Sequence, residues 1–143
     1  MKYMPVEILQ RFMQEVFTKL GVPEKEAQIC SDVLIASDLK GIESHGIGRL
    51  KMYYDRIKAG IQNPVTNIDV IRDKYATAVW DGNNGMGQVI SKKAMQTAID
   101  KAAKYGLGSV AVCNSTHFGI CGYYAEMAEL QTATEPKPYF AAL

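Results

Sequence analysis

The 143-residue chain has little of what usually announces a function: two histidines, three cysteines, one tryptophan, and a formal charge of only +1 from 16 basic and 15 acidic side chains. Near-neutrality leaves no field to concentrate nucleic acid or an anionic membrane, and the charges alternate instead of forming blocks. No run of about 18 apolar residues occurs, which excludes a spanning helix. The opening MKYMPVEILQRF carries charge inside its apolar run and lacks the core of a signal peptide. Cys30, Cys113 and Cys121 are odd in number and form no CxxC pair. They exclude a disulfide framework, fit a reducing compartment, the cytoplasm, and leave Cys113 and Cys121 as expected small buried hydrophobes. His45 and His117 have no carboxylate or cysteine at ligand spacing, so no metal is expected. There is no GxGxxG or GxxxxGK[ST], and no internal repeat.

Three helical patterns come first. Ile8, Leu9, Phe12, Met13, Val16 and Leu20 repeat at helical spacing between Pro5 and Gly21. A second helix opens at Pro23, buries Ala27, Cys30, Val33, Leu34 and Ile35, and closes at Gly41. Ser44 is the expected N-cap of a third, ending near Gly60. Beyond Gly60 the texture changes. IDVIRD (68–73) and YATAVWD (75–81) read as strands, DGNNGMG (81–87) as a loop, and 88–105 as a helix with a slim stripe of Ile90, Ala94, Ala98 and Ala102. Gly106 ends it, and GSVAVCN (108–114) reads as a strand buried on both faces. Residues 118–130 are helical again. The expected fold class is α/β: a helical N-terminal segment over 1–60, a partial strand-helix-strand-helix domain over 61–128, and an atypical tail, ELQTATEPKPYFAAL (129–143), with no strand.

Three features could carry chemistry. Projected at about 100° per residue, the third helix puts Ile47, Leu50, Tyr54 and Ile57 on one side and His45, Arg49, Tyr53 and Arg56 on the other. A guanidinium fork binds a carboxylate bidentately, and a histidine can donate to the same anion. A merely wet helix face would look the same. His117, in CNSTHFG, follows the apolar strand and opens the next helix, where partial positive charge disfavours imidazolium and leaves a neutral base. A histidine hydrogen-bonded within a turn is the alternative. The glycine-rich loop 81–87 reads as structural, with Gly82, Gly85 and Gly87 serving left-handed backbone and close packing.

SDLKGIESHGIGRLKMYYDRIKAG (37–60), WDGNNGMGQV (80–89) and VAVCNSTHFGICGYYAEMA (110–128) together resemble the malate/L-lactate dehydrogenase family, unrelated to Rossmann-type enzymes, which includes sulfolactate and ureidoglycolate dehydrogenases and cyclic-imine reductases. The resemblance implies a non-Rossmann fold, a homodimer, and hydride transfer between NAD or NADP and C2 of a small 2-hydroxy or 2-oxo acid. It implies that His117 is the acid/base, with His45 and Arg49 beside it in the catalytic set. Arg49, His45, Ser44 and Tyr53 would line the substrate site, and His117, Phe118, Gly119 and Gly122 would pass close to the cofactor. Relative to the resembled family the tail departs where a strand and loop of the nucleotide site are expected, so a truncated form, or a remnant that folds or self-associates without turnover, is the competing expectation.

Overall fold

The computed structural model describes residues 4–134 and 141–142. Helices α1 (Val6–Lys19) and α2 (Glu24–Leu39) lead into two 3-10 turns, Glu43–His45 and Ile47–Arg49, and then α3 (Leu50–Lys58). Strands β1 (Asp69–Lys74) and β2 (Thr77–Asp81), helix α4 (Gly87–Tyr105), strand β3 (Gly108–Cys113), helix α5 (Cys121–Thr134) and strand β4 (Ala141–Ala142) follow. The sheet order is β1-β2-β3-β4. The first pair is antiparallel and the other two are parallel, so β2, α4 and β3 form a crossover unit.

The alanine stripe of α4 lets the helix lie almost on the sheet's backbone. A Cβ on Gly108 would fall 1.8 Å from the Ala98 carbonyl oxygen, so this contact requires glycine at the start of β3. Gly106 closes α4 in the left-handed region at φ 80°, its N–H on the Ala102 carbonyl. One buried cluster joins Met13 and Phe17 of α1, Cys30 and Leu34 of α2, Leu50 and Tyr53 of α3, and Met86 and Val89 at the start of α4. A second joins Ala78, Trp80, Val110, Ala94, Ala98 and Tyr124, with Val33 of α2 inserted into it. Helix α2 therefore touches both cores and ties the helical layer to the sheet.

Several sequence expectations need correction. The third helix does not begin at Ser44: tight 3-10 turns occupy 43–49, and Ser44 caps nothing there. Of the face expected inward, Leu50 is buried and Ile47 and Ile57 pack against the core as expected, but the two tyrosines exchange places. Tyr53 is fully buried and Tyr54 is 44% exposed, the reverse of the expected faces. In α1, Ile8 and Phe12 lie outside the buried stripe. Strand β3 is not buried on both faces, because Ala111 and Cys113 are exposed while Val110 is buried. Cys113 and Cys121 are likewise exposed, and Cys30 alone is buried. The left-handed positions of the 81–87 loop belong to Asn83 and Asn84, whereas its glycines answer to close packing. The tail also holds structure the sequence did not announce: α5 continues to Thr134, and the two-residue β4 pairs with Gly108 and Ser109 of β3.

The register of α3 can be tested directly. Tyr53→Ala should cost about 3–5 kcal/mol in urea unfolding, as for other fully buried aromatics. Tyr54→Ala should stay within about 0.5 kcal/mol, as surface changes do. Equal losses would contradict this packing.

Candidate active site

Two separate stretches of chain meet at one histidine. The first is the 43–49 segment, shaped by α2. The Asp38 carboxylate accepts the Ile47 N–H at 2.8 Å, and the Ser37 hydroxyl donates to the Ile42 carbonyl at 2.7 Å. Gly46 is wedged against Asp38 so tightly that a Cβ would fall 1.7 Å from its carboxylate. The turn is thus pinned on both sides of His45. The Ser44 hydroxyl lies 2.9 Å from His45 Nδ1, and Arg49 Nε donates to the Ser44 carbonyl at 2.5 Å. This last bond orients the guanidinium and leaves its two Nη groups without a hydrogen-bond partner among the described residues.

The second stretch is the loop 114–120 between β3 and α5. Thr116 donates to the Gly85 carbonyl at 2.7 Å and receives the Gly87 N–H at 3.0 Å. A Cβ on Gly87 would fall 2.4 Å from the carbonyl oxygens of both Thr116 and His117, so α4 can approach this loop only with glycine at its first position. Gly119, at φ 86°, turns the chain against Val33, whose Cγ1 would be 2.4 Å from an added Cβ. The Tyr124 hydroxyl donates to the Phe118 carbonyl.

Between these stretches the rings converge. His117 stacks on His45 with centroids 5.4 Å apart and planes 25° apart. Tyr53 meets His117 edge-on at 5.7 Å, its hydroxyl 2.6 Å from His117 Nδ1. The structure thus brings together Ser44, His45, Arg49, Tyr53 and His117. Phe118 packs on the buried Tyr124 ring at 5.6 Å, and the missing side chain of Gly119 is accounted for by Val33. Gly122, in the first turn of α5, has open space where a Cβ would stand.

His117 lies before α5 and not in its opening turn, so the helix end is not what perturbs it. Its affinity for a proton is lowered, first by burial and then by the positive charge of His45, Arg49 and Arg56. A neutral imidazole is the outcome the sequence suggested, through a different cause. Burial also raises the pKa of the Tyr53 hydroxyl, so it stays protonated. Sequence reading missed Asp38, Val33 and Thr116, which shape the site without entering it. Only the glycines opposite them hinted at close contacts. Among the described residues no group of three His, Cys, Asp or Glu side chains could hold a metal ion, and no helix is long and apolar enough to cross a membrane.

Residues 4–132 match the family model described as malate/L-lactate dehydrogenase. The chain belongs to this family. It is 47% identical over 134 residues to an L-sulfolactate dehydrogenase of Methanocaldococcus jannaschii, a match covering 89% of this chain and 39% of that protein. It is 52% identical over 124 residues to a malate dehydrogenase of Pyrococcus abyssi, covering 87% of this chain and 34% of the relative. The malate dehydrogenase structure of Pyrococcus horikoshii OT3 superposes with a TM-score of 0.89 at 46% identity, over 91% of this chain and 37% of that one. The family member described here therefore spans little more than a third of the length of the relatives it matches.

The lowered proton affinity has a consequence for stability. Folded His117 takes its proton at lower pH than the same residue in the unfolded chain, whose ordinary value is 6.5. The unfolded state binds more protons as pH falls through that range, so folding weakens there and the contribution is intact above it. Urea midpoints should fall between about pH 7 and pH 5, and His117→Gln should flatten that fall. An identical slope in the variant would contradict the assignment.

Proposed function

We propose that residues 4–132 carry the substrate side of a hydride-transfer site for small 2-hydroxy and 2-oxo acids. The observation that carries this reading is the convergence of His45, Arg49, Tyr53 and His117 from two distant segments. The relatives are named for malate and sulfolactate, both 2-hydroxy acids. An imidazole titrates close enough to neutral pH for reversible proton exchange with a C2 oxygen, and burial with nearby positive charge keeps this one neutral at rest. The Nη groups of Arg49, without a partner among the described residues, can hold the C1 carboxylate as a fork, which fixes the angle of the acid relative to the ring. His45, its ring turned by Ser44, donates to the same anion or to the oxygen at C2. His117 exchanges the proton, taking it from the hydroxyl in oxidation and returning it to the carbonyl oxygen in reduction.

The cofactor of this reading is NAD or NADP, which when bound supplies or accepts the hydride. The start of α5 fits it in one respect: Gly122 leaves the first turn uncrowded, and a helix N-terminus presents unpaired N–H groups to a phosphate. Gly122 and the neighbouring amides would hold the dinucleotide there. Phe118 and Gly119 support that turn through Tyr124 and Val33.

A second reading, a chain that folds or self-associates without turnover, is favoured by the exposed apolar side chains of Val70 and Ile71 on β1 and of Ile8 and Phe12 on α1. One experiment separates them. Reduction of oxaloacetate and sulfopyruvate by the chain should be measured with NADH and NADPH, beside sedimentation of the same sample. The first reading expects turnover that His117→Ala lowers roughly a hundredfold or more, and that Arg49→Met weakens mainly through KM. Turnover unchanged in His117→Ala would overturn the role of His117. No turnover and no nicotinamide binding in a folded sample would favour the second reading.

A further inference from the structure

A neutral imidazole has one N–H and one bare nitrogen, and the choice between them decides what the ring offers a ligand. At His117 two groups crowd Nδ1. The Gly119 backbone N–H points at it from 3.3 Å, and Tyr53 Oη lies 2.6 Å away. A backbone N–H can only donate, whereas a hydroxyl can donate or accept. Nδ1 therefore faces a fixed donor and is satisfied only with its lone pair turned inward. The Tyr53 side chain is fully buried, and its hydroxyl has no other hydrogen-bond partner among the described residues. Its proton consequently points at Nδ1 as well. The remaining ring proton belongs on Nε2, which has no partner among the described residues.

We propose that Tyr53 is a positioning residue that, with the Gly119 amide, holds neutral His117 as its Nε2–H tautomer, so that the ring meets a ligand as a donor to a carbonyl oxygen. Rotation of the same hydroxyl then accommodates the charged ring. When both nitrogens carry protons, Gly119 opposes the one on Nδ1 and only the Tyr53 oxygen can receive it. Giving the Nε2 proton to a carbonyl oxygen, as hydride reaches C2 from the reduced nicotinamide of the proposed reaction, leaves a neutral ring with Nδ1–H on Tyr53. The reverse reaction must start from that less favoured tautomer. The resting ring thus meets a 2-oxo acid as a hydrogen-bond donor, and proton transfer in either direction needs the Tyr53 hydroxyl to turn. In reduction it turns to receive Nδ1–H of the ring charged by a proton from solvent; in oxidation it turns to hold Nδ1–H while Nε2 accepts the substrate's proton. The functional part of this rests on the dehydrogenase reading; the tautomer does not.

The groups that face the His117 ring are His45 and Arg49 from the 3-10 turns, Tyr53 and Arg56 from α3, and the Gly119 amide of its own loop. They supply positive charge and donors, and no carboxylate hydrogen-bonds to the ring among the described residues. Among the described residues, only Tyr53 is placed to accept the Nδ1 proton.

The test is a multiple-bond 1H–15N correlation spectrum of the whole 143-residue chain with 15N-labelled histidine, His117 being assigned by its loss in His117→Gln. Above the titration range the His117 proton should reside on Nε2. A spectrum with the proton on Nδ1 would overturn the proposal. Tyr53→Phe keeps the ring that packs on Phe17 and removes only the hydroxyl. The charge-assisted bond lost from the imidazolium outweighs the neutral one lost from the imidazole, so the His117 midpoint should fall by about half to one pH unit. An unmoved midpoint in a folded variant would contradict the role of Tyr53, whereas a packing role alone moves nothing. Should Tyr53→Phe fail to fold, the spectrum of the unaltered chain decides alone. No turnover is read, so a chain without dehydrogenase activity but with Nε2–H on His117 would sink the reaction and leave the tautomer assignment standing.

Discussion

The hydrogen bond between Tyr53 and His117 is the constraint on which the site depends. It joins a helix of the N-terminal layer to a loop that follows the sheet, 64 positions further along the chain. A buried hydroxyl without a partner is costly, and so is a half-buried ring nitrogen without one. Each group relieves the other. The bond also sets the ring plane against which His45 stacks, and thereby the direction that Nε2 faces.

Such a contact holds only if both loops are placed with little slack. Close backbone approaches do the placing. Gly46 sits on the Asp38 carboxylate, Gly87 on the carbonyls of Thr116 and His117, and Gly119 on Val33. Helix α2 is common to two of these contacts, and Val33 packs into the sheet-side core while Cys30 and Leu34 pack into the helical one. A disturbance of α2 should therefore reach the site from both sides, although α2 contributes no side chain to the convergence of rings. Distances of this kind separate a potential acid/base group from a merely polar surface.

Much of the fold was legible because it follows simple periodicities. The helices opening at Pro5 and Pro23, the four-residue alanine steps of α4 and the stop at Gly106 all correspond to elements in place. What escaped was local geometry that breaks period. The 3-10 turns at 43–49 break the α-helical period, and within α3 Tyr53 lies inward beside Leu50 while Tyr54 lies outward. Pairing patterns of two residues, as in β4, leave no trace in composition. The exposure of Cys113 and Cys121 depends on which faces of β3 and α5 are covered, and apolar character alone does not reveal that. The site was legible as types of residue, His45, Arg49 and His117 among them, and not as an arrangement. Asp38 and Thr116 lie inside the stretches that carry the resemblance and Val33 was expected to be buried, but their contacts with Gly46, Gly87 and Gly119 depend on tertiary packing that spacing does not reveal. The neutral state of His117 was anticipated from a helix end it does not occupy, and it arises instead from burial and like charge.

The most direct test of this arrangement is a through-space proton contact between the two imidazoles, the only histidines in the chain. Rings stacked with centroids 5.4 Å apart should show cross-relaxation between their carbon-bound protons in the folded, unliganded protein. The contact should vanish under denaturing conditions. Both rings assigned in a folded sample, with no cross-peak between them, would contradict the convergence on which the proposed chemistry rests.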